Sequence, residues 1–379
     1  MQSEAFRMTW PVLLMARELD LGGSERQMTL IARTLDRSRF EPVVGCFRPL
    51  GLRGVELQAA HIPVVHFPVS SFRSVQAISG AWKLVHFIRQ RGIKLVHAFD
   101  YPLTVFAVPI ARLFTDAVAV SSQRSHRDLI PPRYRRMVRM SDHLASAVVV
   151  NCEFVRRHLE QDESVPASRI QLCHNGIDEV EFCPYDIPRP AALPADTMVI
   201  GVVCALRPEK GLPDLLKAFA LVRNTPNALK LVIVGDGPIQ GQLVSLAREL
   251  GIIDDCVFAP ATQHVAAWLR AIDIFVLPSR SEAFSNSLME AMACGCCAVA
   301  SNAGGNPELI RNGETGMIFN AGNADALAAV LELLMGNGAL RRRLAAAGMR
   351  WVHDNFSIRS SARRMGEIYR ELIERRISA

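Results

Sequence analysis

The sequence Ile-Asp-Ile-Phe-Val-Leu-Pro-Ser-Arg-Ser-Glu-Ala-Phe-Ser-Asn-Ser-Leu-Met-Glu-Ala-Met-Ala runs from Ile272 to Ala293 and contains a complete strand, loop and helix pattern. The apolar residues up to Leu277 predict a buried strand. Pro278 to Ala283 predict the loop that leaves it, and small polar residues from Ser285 predict a capped helix start. Apolar runs that alternate with helical patterns are typical of parallel sheets built from βαβ units.

This stretch also contains two carboxylates, Glu282 in the loop and Glu290 inside the helix. The N–H groups at a helix start, together with the helix dipole, favour a phosphate. The residues expected to face that phosphate are Ser285, Asn286, Ser287 and Leu288. Glu290 would then accept hydrogen bonds from a ribose diol, and Glu282 would reach a sugar beyond the phosphates. Two glutamates taken alone are more often solvated surface charges.

The surrounding motifs give the pair its context. Residues 281–295, Gly304-Gly-Asn-Pro-Glu-Leu-Ile310 and Asn312-Gly-Glu-Thr-Gly316 resemble, in order and spacing, the C-terminal signature of the family 4 retaining glycosyltransferases. The resemblance implies the GT-B fold, an α/β architecture of two doubly wound Rossmann-like domains that face each other across a cleft. It also implies retention of configuration at the anomeric carbon, with a nucleoside diphosphate sugar, most commonly a UDP-sugar, as donor.

Thirteen short apolar runs predict the strands of these two domains. In the first half they are Trp10–Ala16, Pro42–Phe47, Val64–Phe67, Leu95–Ala98, Val118–Ser121, Ala147–Val150 and Ile170–Leu172. In the second half they are Val199–Ala205, Lys230–Val234, Val257–Ala259, Ile274–Leu277, Ala298–Ser301 and Met317–Phe319.

A proline-rich stretch without periodicity divides the two series of strands. We therefore expect an acceptor-binding domain over residues 1–184, a linker at 185–196 and a nucleotide-sugar-binding domain over 197–356. The family resemblance implies that the last helix, about 357–379, packs back on the first domain.

A second phosphate-facing element follows a strand at Ala205-Leu-Arg-Pro-Glu-Lys-Gly211. Lysine and arginine at a strand end can neutralise a leaving diphosphate. Lys210 matches the family's lysine, whereas the family's arginine position is Ala205 here and Arg207 is the nearest substitute. Gly235, in Gly-Asp-Gly-Pro238, lacks the third glycine of a dinucleotide fingerprint and predicts a structural turn near the nucleotide.

Several candidates lie in the first half of the chain. Gly22 and Gly23 permit close approach of a ligand to the backbone, unless they form a simple helix-start turn. His97 ends a strand and is a catalytic candidate, although Phe99 occupies the position of a second histidine in the resembling family. Candidates for the acceptor side are Asp100, Ser122, Arg124 and His126.

Composition excludes some classes of function. The 379-residue chain carries a net charge of +6 and has no apolar stretch of the roughly 20 residues needed to span a bilayer. We expect a cytoplasmic protein whose nine cysteines are core residues. No Asp-x-Asp occurs, so neither a metal nor another cofactor is expected. No nucleic-acid-binding motif accompanies the arginines between Arg124 and Arg139, which form either a contact with anionic membrane or a solvated face.

These features favour sugar transfer to a saccharide or lipid-linked acceptor, as in the biosynthesis of a surface polysaccharide or glycolipid. A nucleotide-sugar epimerase is one alternative, and it would need no acceptor. A non-catalytic, membrane-associated nucleotide-binding module is another, prompted by Ala205 and Phe99, and it would release no nucleoside diphosphate.

Overall fold

The computed structural model describes residues 9–72, 74–185, 189–194, 196–223 and 228–378. Two compact units are present: Met1–Gly176 with Ile358–Ala379, and Ile177–Ser357. The second unit begins earlier than the predicted boundary at residue 184, because Ile177 N donates to Phe356 O (2.8 Å) and Arg270 binds the carbonyl of Cys183 (2.6 Å). Within the predicted linker, residues 186–188 and 195 lie outside the described residues.

The first unit contains a seven-stranded sheet in the order β3-β2-β1-β4-β5-β6-β7. Its strands are β1 Trp10–Glu18, β2 Phe40–Arg48, β3 Val64–His66, β4 Leu95–Ala98, β5 Val118–Gln123, β6 Ala147–Val150 and β7 Ile170–Leu172. Every neighbouring pair is parallel, with Leu14 opposite His97 where the strand order reverses. The connecting helices are α1 Gly23–Thr34, α2 Leu52–Ala59, α3 Val75–Gln90, α4 Tyr101–Phe114, α5 Pro132–Leu144 and α6 Glu153–Gln161.

The second unit contains a six-stranded parallel sheet in the order β10-β9-β8-β11-β12-β13. Its strands are β8 Met198–Val203, β9 Leu229–Val234, β10 Cys256–Ala259, β11 Ile274–Leu277, β12 Cys297–Ser301 and β13 Met317–Phe319. Its helices are α7 Leu212–Val222, α8 Gln240–Glu249, α9 Val265–Ala271, α10 Asn286–Ala293, α11 Asn306–Leu309, α12 Ala324–Gly336 and α13 Gly338–Asn355. The predicted class, two Rossmann-like domains with parallel sheets, is confirmed.

The last helix, α14 Ile358–Ser378, belongs to the first unit. Its Met365, Ile368 and Tyr369 are buried in one core cluster with alternate residues of β1, among them Val12 and Leu14. The intervening β1 residues point to the opposite face of the sheet, where they pack with α3 and α4. The first sheet is therefore covered on both faces, as all-parallel sheets require.

Two further predictions concern the whole chain. All nine cysteines are free thiols and none is exposed, which agrees with their prediction as core residues. Among the described helices, none combines the length and the apolar character needed to cross a membrane.

Candidate active site

The candidate site lies where the strand order of the second sheet reverses. β8 and β11 are neighbours there, with β9 and β10 on one side and β12 and β13 on the other. Ligands of open parallel sheets bind beyond the carboxyl ends of the strands at such a reversal. The loop after β8 contains Lys210 and the loop after β11 contains Glu282, so both side chains lie at this edge.

Lys210 and Glu282 form an ion pair. Lys210 Nζ lies 2.6 Å from Glu282 Oε2, and Ser279 Oγ donates to the same oxygen at 3.1 Å. The two charged side chains keep 19% and 13% of their surface exposed, so a ligand can still reach them.

The charge state of Lys210 follows from its surroundings. Burial would lower the pKa of Lys210, but attraction to Glu282 and the hydrogen bond to its carboxylate outweigh burial and raise the pKa. Lys210 is therefore protonated at neutral pH, which a group that neutralises a phosphate must be.

Backbone contacts hold the two loops together. Glu209 O accepts from Arg280 N at 2.8 Å, and Gly211, with φ +64°, lies so close that a Cβ would stand 2.1 Å from Pro278 O. On the other side, a Cβ at Gly304 would stand 1.8 Å from Glu282 O. Glycines on both sides thus fix the position of the Glu282 loop.

Helix α10 begins one residue later than predicted, with Ser285 as its N-cap. The Ser285 hydroxyl accepts from Leu288 N at 3.3 Å. This corrects the prediction that the Leu288 amide is open to a phosphate, because the cap already satisfies it. Glu290 stands in the second turn of α10 and is 4% exposed.

The two remaining predictions for the second unit differ in outcome. Arg207 is exposed, and its side chain makes no hydrogen bond or ion pair with any residue that the structure describes. Gly235 has φ +143°, and a Cβ there would stand 1.9 Å from Cys204 O. Close packing against the end of β8 explains this glycine without any ligand.

Comparisons with known proteins agree with this geometry. The model of the "Glycosyltransferase Family 4" matches residues 21–181, and that of the "Glycosyl transferases group 1" matches residues 186–351. This chain belongs to the family 4 glycosyltransferases.

Curated relatives cover only part of the chain. D-inositol 3-phosphate glycosyltransferase of Mycolicibacterium gilvum is 32% identical over 55% of this chain and 50% of that protein. N-acetyl-alpha-D-glucosaminyl L-malate synthase of Bacillus anthracis is 28% identical over 55% of each chain. The chain thus spans about half the length of the curated relatives that it matches.

Solved structures support the fold over nearly the whole chain. Anabaena Alr3699/HepE, solved with UDP and glucose, has a TM-score of 0.83 at 21% identity and covers 96% of this chain and 100% of its own. A glycosyltransferase from Rickettsia africae has a TM-score of 0.79 at 20% identity, over 97% and 99%.

In the first unit of this family 4 chain, His97 is a core residue. It is 0% exposed, its Nδ1 lies 2.7 Å from the Tyr369 hydroxyl and its Nε2 lies 2.8 Å from Ser122 Oγ. Burial and the nearby Arg124 charge hold the pKa of His97 well below its usual value. With both nitrogens occupied, His97 presents no atom to a ligand in this arrangement, which corrects its prediction as a catalytic residue.

Asp100 has a structural role. It caps α4 through Leu103 N (3.0 Å), and its other oxygen accepts from Arg17 N (2.7 Å). Burial raises the pKa of Asp100 to about 6. Glu25, which sequence reasoning missed, lies in the first turn of α1, and burial together with Asp100 raises its pKa to about 7. The sequence did offer a signal for Glu25, because an acidic residue stands two positions after a pair of glycines in the chain that follows β1.

Gly22 and Gly23 form the start of α1, with Gly22 as N-cap at φ −61°. A Cβ at Gly22 would meet only the Glu25 carboxylate, at 2.1 Å. The N-cap position and this close contact account for Gly22 without a ligand.

Arg124 and His126 make contacts within the first unit. The Arg124 guanidinium lies 4.8 Å from the centre of the Phe99 ring, and its Nη1 donates to Asn175 Oδ1 at 2.7 Å. His126 packs against His158 with ring centres 4.0 Å apart, and burial lowers the pKa of His126.

The stretch from Arg124 to Arg139, which we call the arginine segment, is less exposed than predicted. Arg127 is 1% exposed and pairs with Asp142 and with Glu163, the latter at 2.6 Å. Glu163 also pairs with Arg139 at 2.8 Å. These acids stand 15 and 36 residues from Arg127, beyond Arg139, so the sequence between Arg124 and Arg139 shows only one acid, Asp128.

The sequence predicts that activity needs no metal ion, and the arrangement of side chains does not test that prediction. Over residues 9–72, 74–185, 189–194, 196–223 and 228–378, no three His, Cys, Asp or Glu side chains come together in a way that could hold a metal ion. Whether activity needs a metal stays a prediction for experiment.

Proposed function

We propose that this chain is a retaining glycosyltransferase that moves a sugar from a nucleoside diphosphate sugar to a saccharide or lipid-linked acceptor. UDP is the nucleotide that we place first, and assembly of a surface polysaccharide or glycolipid is the proposed setting. The observation that carries the proposal is the 2.6 Å contact between Lys210 Nζ and Glu282 Oε2 at the reversal point of the second sheet.

The cations at this edge suit a diphosphate leaving group. Lys210 is held protonated beside Glu282, and Arg207 is exposed without a side-chain partner among the described residues. As the bond to the anomeric carbon breaks, negative charge grows on the diphosphate. Preorganised positive charges stabilise that state more than they stabilise the bound donor.

The carboxylates suit the sugar portions of the donor. Glu290 is almost completely buried in α10, so a diol that it binds would be shielded from water. Glu282 is held by Lys210 and Ser279, and its remaining acceptor capacity can orient sugar hydroxyls.

In the proposed reaction, the bond between the anomeric carbon and the diphosphate oxygen breaks, and an acceptor oxygen bonds to the same carbon from the same face. The acceptor's proton passes to an oxygen of the leaving diphosphate. No protein nucleophile is invoked, and the products are the glycosylated acceptor and the nucleoside diphosphate.

Names of similar proteins inform the choice of donor. Alr3699/HepE was solved with UDP-glucose, which supports UDP. A relative from Mycolicibacterium smegmatis is named as GDP-mannose-dependent, so GDP-sugars belong in the same screen.

The test compares two lysines of the second unit. Lys210→Met should keep the fold and lower kcat for sugar transfer by about 10²–10³-fold, the usual effect of removing one preorganised charge contact. Lys217→Met is the matched control, because Lys217 is an exposed lysine on α7, and it should retain wild-type activity. Equal activities of the two variants would contradict the assignment of Lys210.

The carboxylates are separated by a second comparison. Glu290→Gln should weaken UDP binding measured by calorimetry, whereas Glu282→Gln should chiefly lower turnover. If both variants kept the wild-type affinity for UDP and the wild-type rate of sugar transfer, the assignment of these carboxylates to the donor site would be wrong.

The epimerase and binding-module alternatives predict different products. A transferase releases nucleoside diphosphate at a rate that rises with acceptor, and its product keeps the anomeric configuration by NMR. An epimerase yields a new nucleotide sugar without acceptor, and a binding module yields neither product.

A further inference from the structure

The first unit contains a pocket that the proposed donor chemistry does not use. It has a volume of about 280 Å³, and its lining includes Arg17, Arg48, Phe72, Tyr101, Arg133 and Tyr134. We call it the arginine–aromatic pocket.

The pocket lies at the ligand-binding edge of the first sheet. Arg17 and Arg48 stand at the ends of β1 and β2, Phe72 follows β3, Tyr101 follows β4 and Arg133 lies in the helix after β5. These strands are five consecutive neighbours in the sheet, on both sides of the reversal between β1 and β4. Pockets at this position are the expected ligand sites of open parallel sheets.

Charge at the pocket is positive. Arg48 is 73% exposed and pairs with Glu18 at 3.6 Å, and Arg17 pairs with the same Glu18. Arg133 has no acidic partner within the part of the chain that the structure describes. Two further acids act on Arg17, namely Asp100, whose Oδ2 accepts from Arg17 N, and Glu25, and burial raises the pKa of both. Arg133 is therefore the arginine of this pocket whose charge no acid of the described residues offsets.

One wall of the pocket is aromatic. Tyr134 contacts Tyr101 (ring centres 5.7 Å apart) and Phe72 (6.1 Å), and the Arg133 guanidinium lies 4.9 Å from the Tyr134 ring. Such a wall offers an apolar face with polar hydroxyls at its edge, which suits a ring that is apolar on its faces and hydroxylated on its rim.

We infer that the arginine–aromatic pocket binds a phosphorylated sugar or polyol. A phosphate monoester carries a charge of about −1.5 to −2 at pH 7, and the guanidinium groups that line the pocket attract it. Guanidinium groups bind its oxygens in a bidentate manner, and the aromatic wall receives the ring that carries it. We assign this ligand as the acceptor of sugar transfer, an assignment that rests on the proposed function.

The test measures binding by calorimetry with hexose 6-phosphates, the unphosphorylated hexoses, glucuronate and inorganic phosphate as probes. The wild type should bind at least one hexose phosphate more tightly than all the other probes. Arg48→Gln and Arg133→Gln should each weaken that binding by about tenfold or more, since each removes a charge-assisted contact. Arg156→Gln, an arginine on α6 that pairs with Glu153 and Glu160, is the control and should bind like the wild type.

A further variant isolates the aromatic wall. Tyr134→Leu keeps an apolar side chain against Phe72 but removes the ring, so hexose phosphate affinity should fall toward that of inorganic phosphate. Affinity for inorganic phosphate itself should not change. Thermal unfolding of each variant verifies that the fold is intact.

Vesicles that carry phosphorylated inositol headgroups distinguish a lipid-borne ligand from a free one. Binding from either source supports the inference if both pocket variants weaken it. The inference is overturned if no phosphorylated sugar or polyol binds, if the pocket variants bind like Arg156→Gln, or if glucuronate or inorganic phosphate binds equally well. UDP binding measured on the same samples reports on the donor site alone, so failure of the proposed function is seen separately.

Discussion

At the scale of single residues, two glycines determine where Glu282 stands. Gly211 lets the loop after β8 pass against Pro278 O, and Gly304 lets the chain after β12 pass against Glu282 O. Both have positive φ values, +64° and +58°, which L-residues with a side chain rarely adopt. Glu282 is thus positioned by residues that have no side chain.

Gly304→Ala should therefore disturb both stability and activity. The alanine Cβ would overlap Glu282 O, and the left-handed backbone would add about 1–2 kcal/mol of strain. Gly313→Ala is the matched control, because Gly313 has φ +78° and nothing within 4 Å of the added Cβ. Urea unfolding should show the larger loss for Gly304→Ala, and only that variant should lose sugar transfer. Equal losses would mean that backbone conformation alone makes Gly304 necessary.

Sequence reasoning found the residues whose signals are local. Lys210 and Glu282 follow strand ends within recognisable motifs, so their placement at one sheet edge could be predicted. The environment of His97 could not, because its partner Tyr369 is 272 residues away in a helix that joins the first unit. A histidine at a strand end looks the same in sequence whether it meets a ligand or a tyrosine.

At the scale of elements, the strands were predictable because each is a short, mostly apolar run, and the central ones, such as β4, β6 and β11, are buried on both faces. Each of the thirteen predicted runs overlaps an observed strand, and the differences are confined to the ends. β8, for example, ends at Val203 rather than at Ala205, since the chain turns there toward the 3-10 turn Pro208–Lys210. End positions depend on such tertiary contacts more than on composition.

Helix α5 presents a basic and apolar face to solvent. Arg133, Arg136, Met137 and Met140 recur at the spacing of one helix face and are all exposed, with Met137 at 40% and Met140 at 59%. Arg135 and Arg139 are instead tied to Asp128 and Glu163. The two alternatives for the arginines, a contact with anionic membrane or a solvated face, therefore concern this face of α5 rather than the whole stretch from Arg124 to Arg139.

The combined variant Arg136→Gln, Met137→Ser and Met140→Ser should lower binding to anionic vesicles by about tenfold or more. Each surface arginine contributes about 1 kcal/mol to such binding, and buried apolar groups add to it. Arg133 is left in place because it lines the arginine–aromatic pocket. Co-sedimentation is the measurement, with neutral vesicles and Arg156→Gln as controls, and binding of the wild type should fade as salt rises. If the wild type did not bind anionic vesicles, the membrane contact would be wrong and this face of α5 would be a solvated surface.

At the scale of the whole molecule, positive charge is distributed unevenly. The net charge is +6, yet part of the arginine content is neutralised internally, as in the pairing of Arg127 with Asp142 and Glu163. Three groups of cations concern the proposals made above: Lys210 and Arg207 in the second unit, and the arginine–aromatic pocket and the α5 face in the first. We propose a different anionic partner for each group: the diphosphate for Lys210 and Arg207, a phosphorylated acceptor for the pocket, and anionic membrane for the α5 face.

This distribution leads to a prediction about metals. Enzymes that hold a diphosphate through a divalent cation need paired oxygen ligands, and the sequence contains no Asp-x-Asp to supply them. If Lys210, Arg207 and the start of α10 neutralise the leaving diphosphate, sugar transfer should proceed at an unchanged rate after prolonged incubation with excess EDTA. Initial rates of nucleoside diphosphate release, with and without EDTA, provide the measurement, and a parallel sample with Mg²⁺ in excess of EDTA controls for effects of the chelator. Loss of activity with EDTA that Mg²⁺ or Mn²⁺ restores would show that a cation, rather than these side chains, carries the charge of the leaving group.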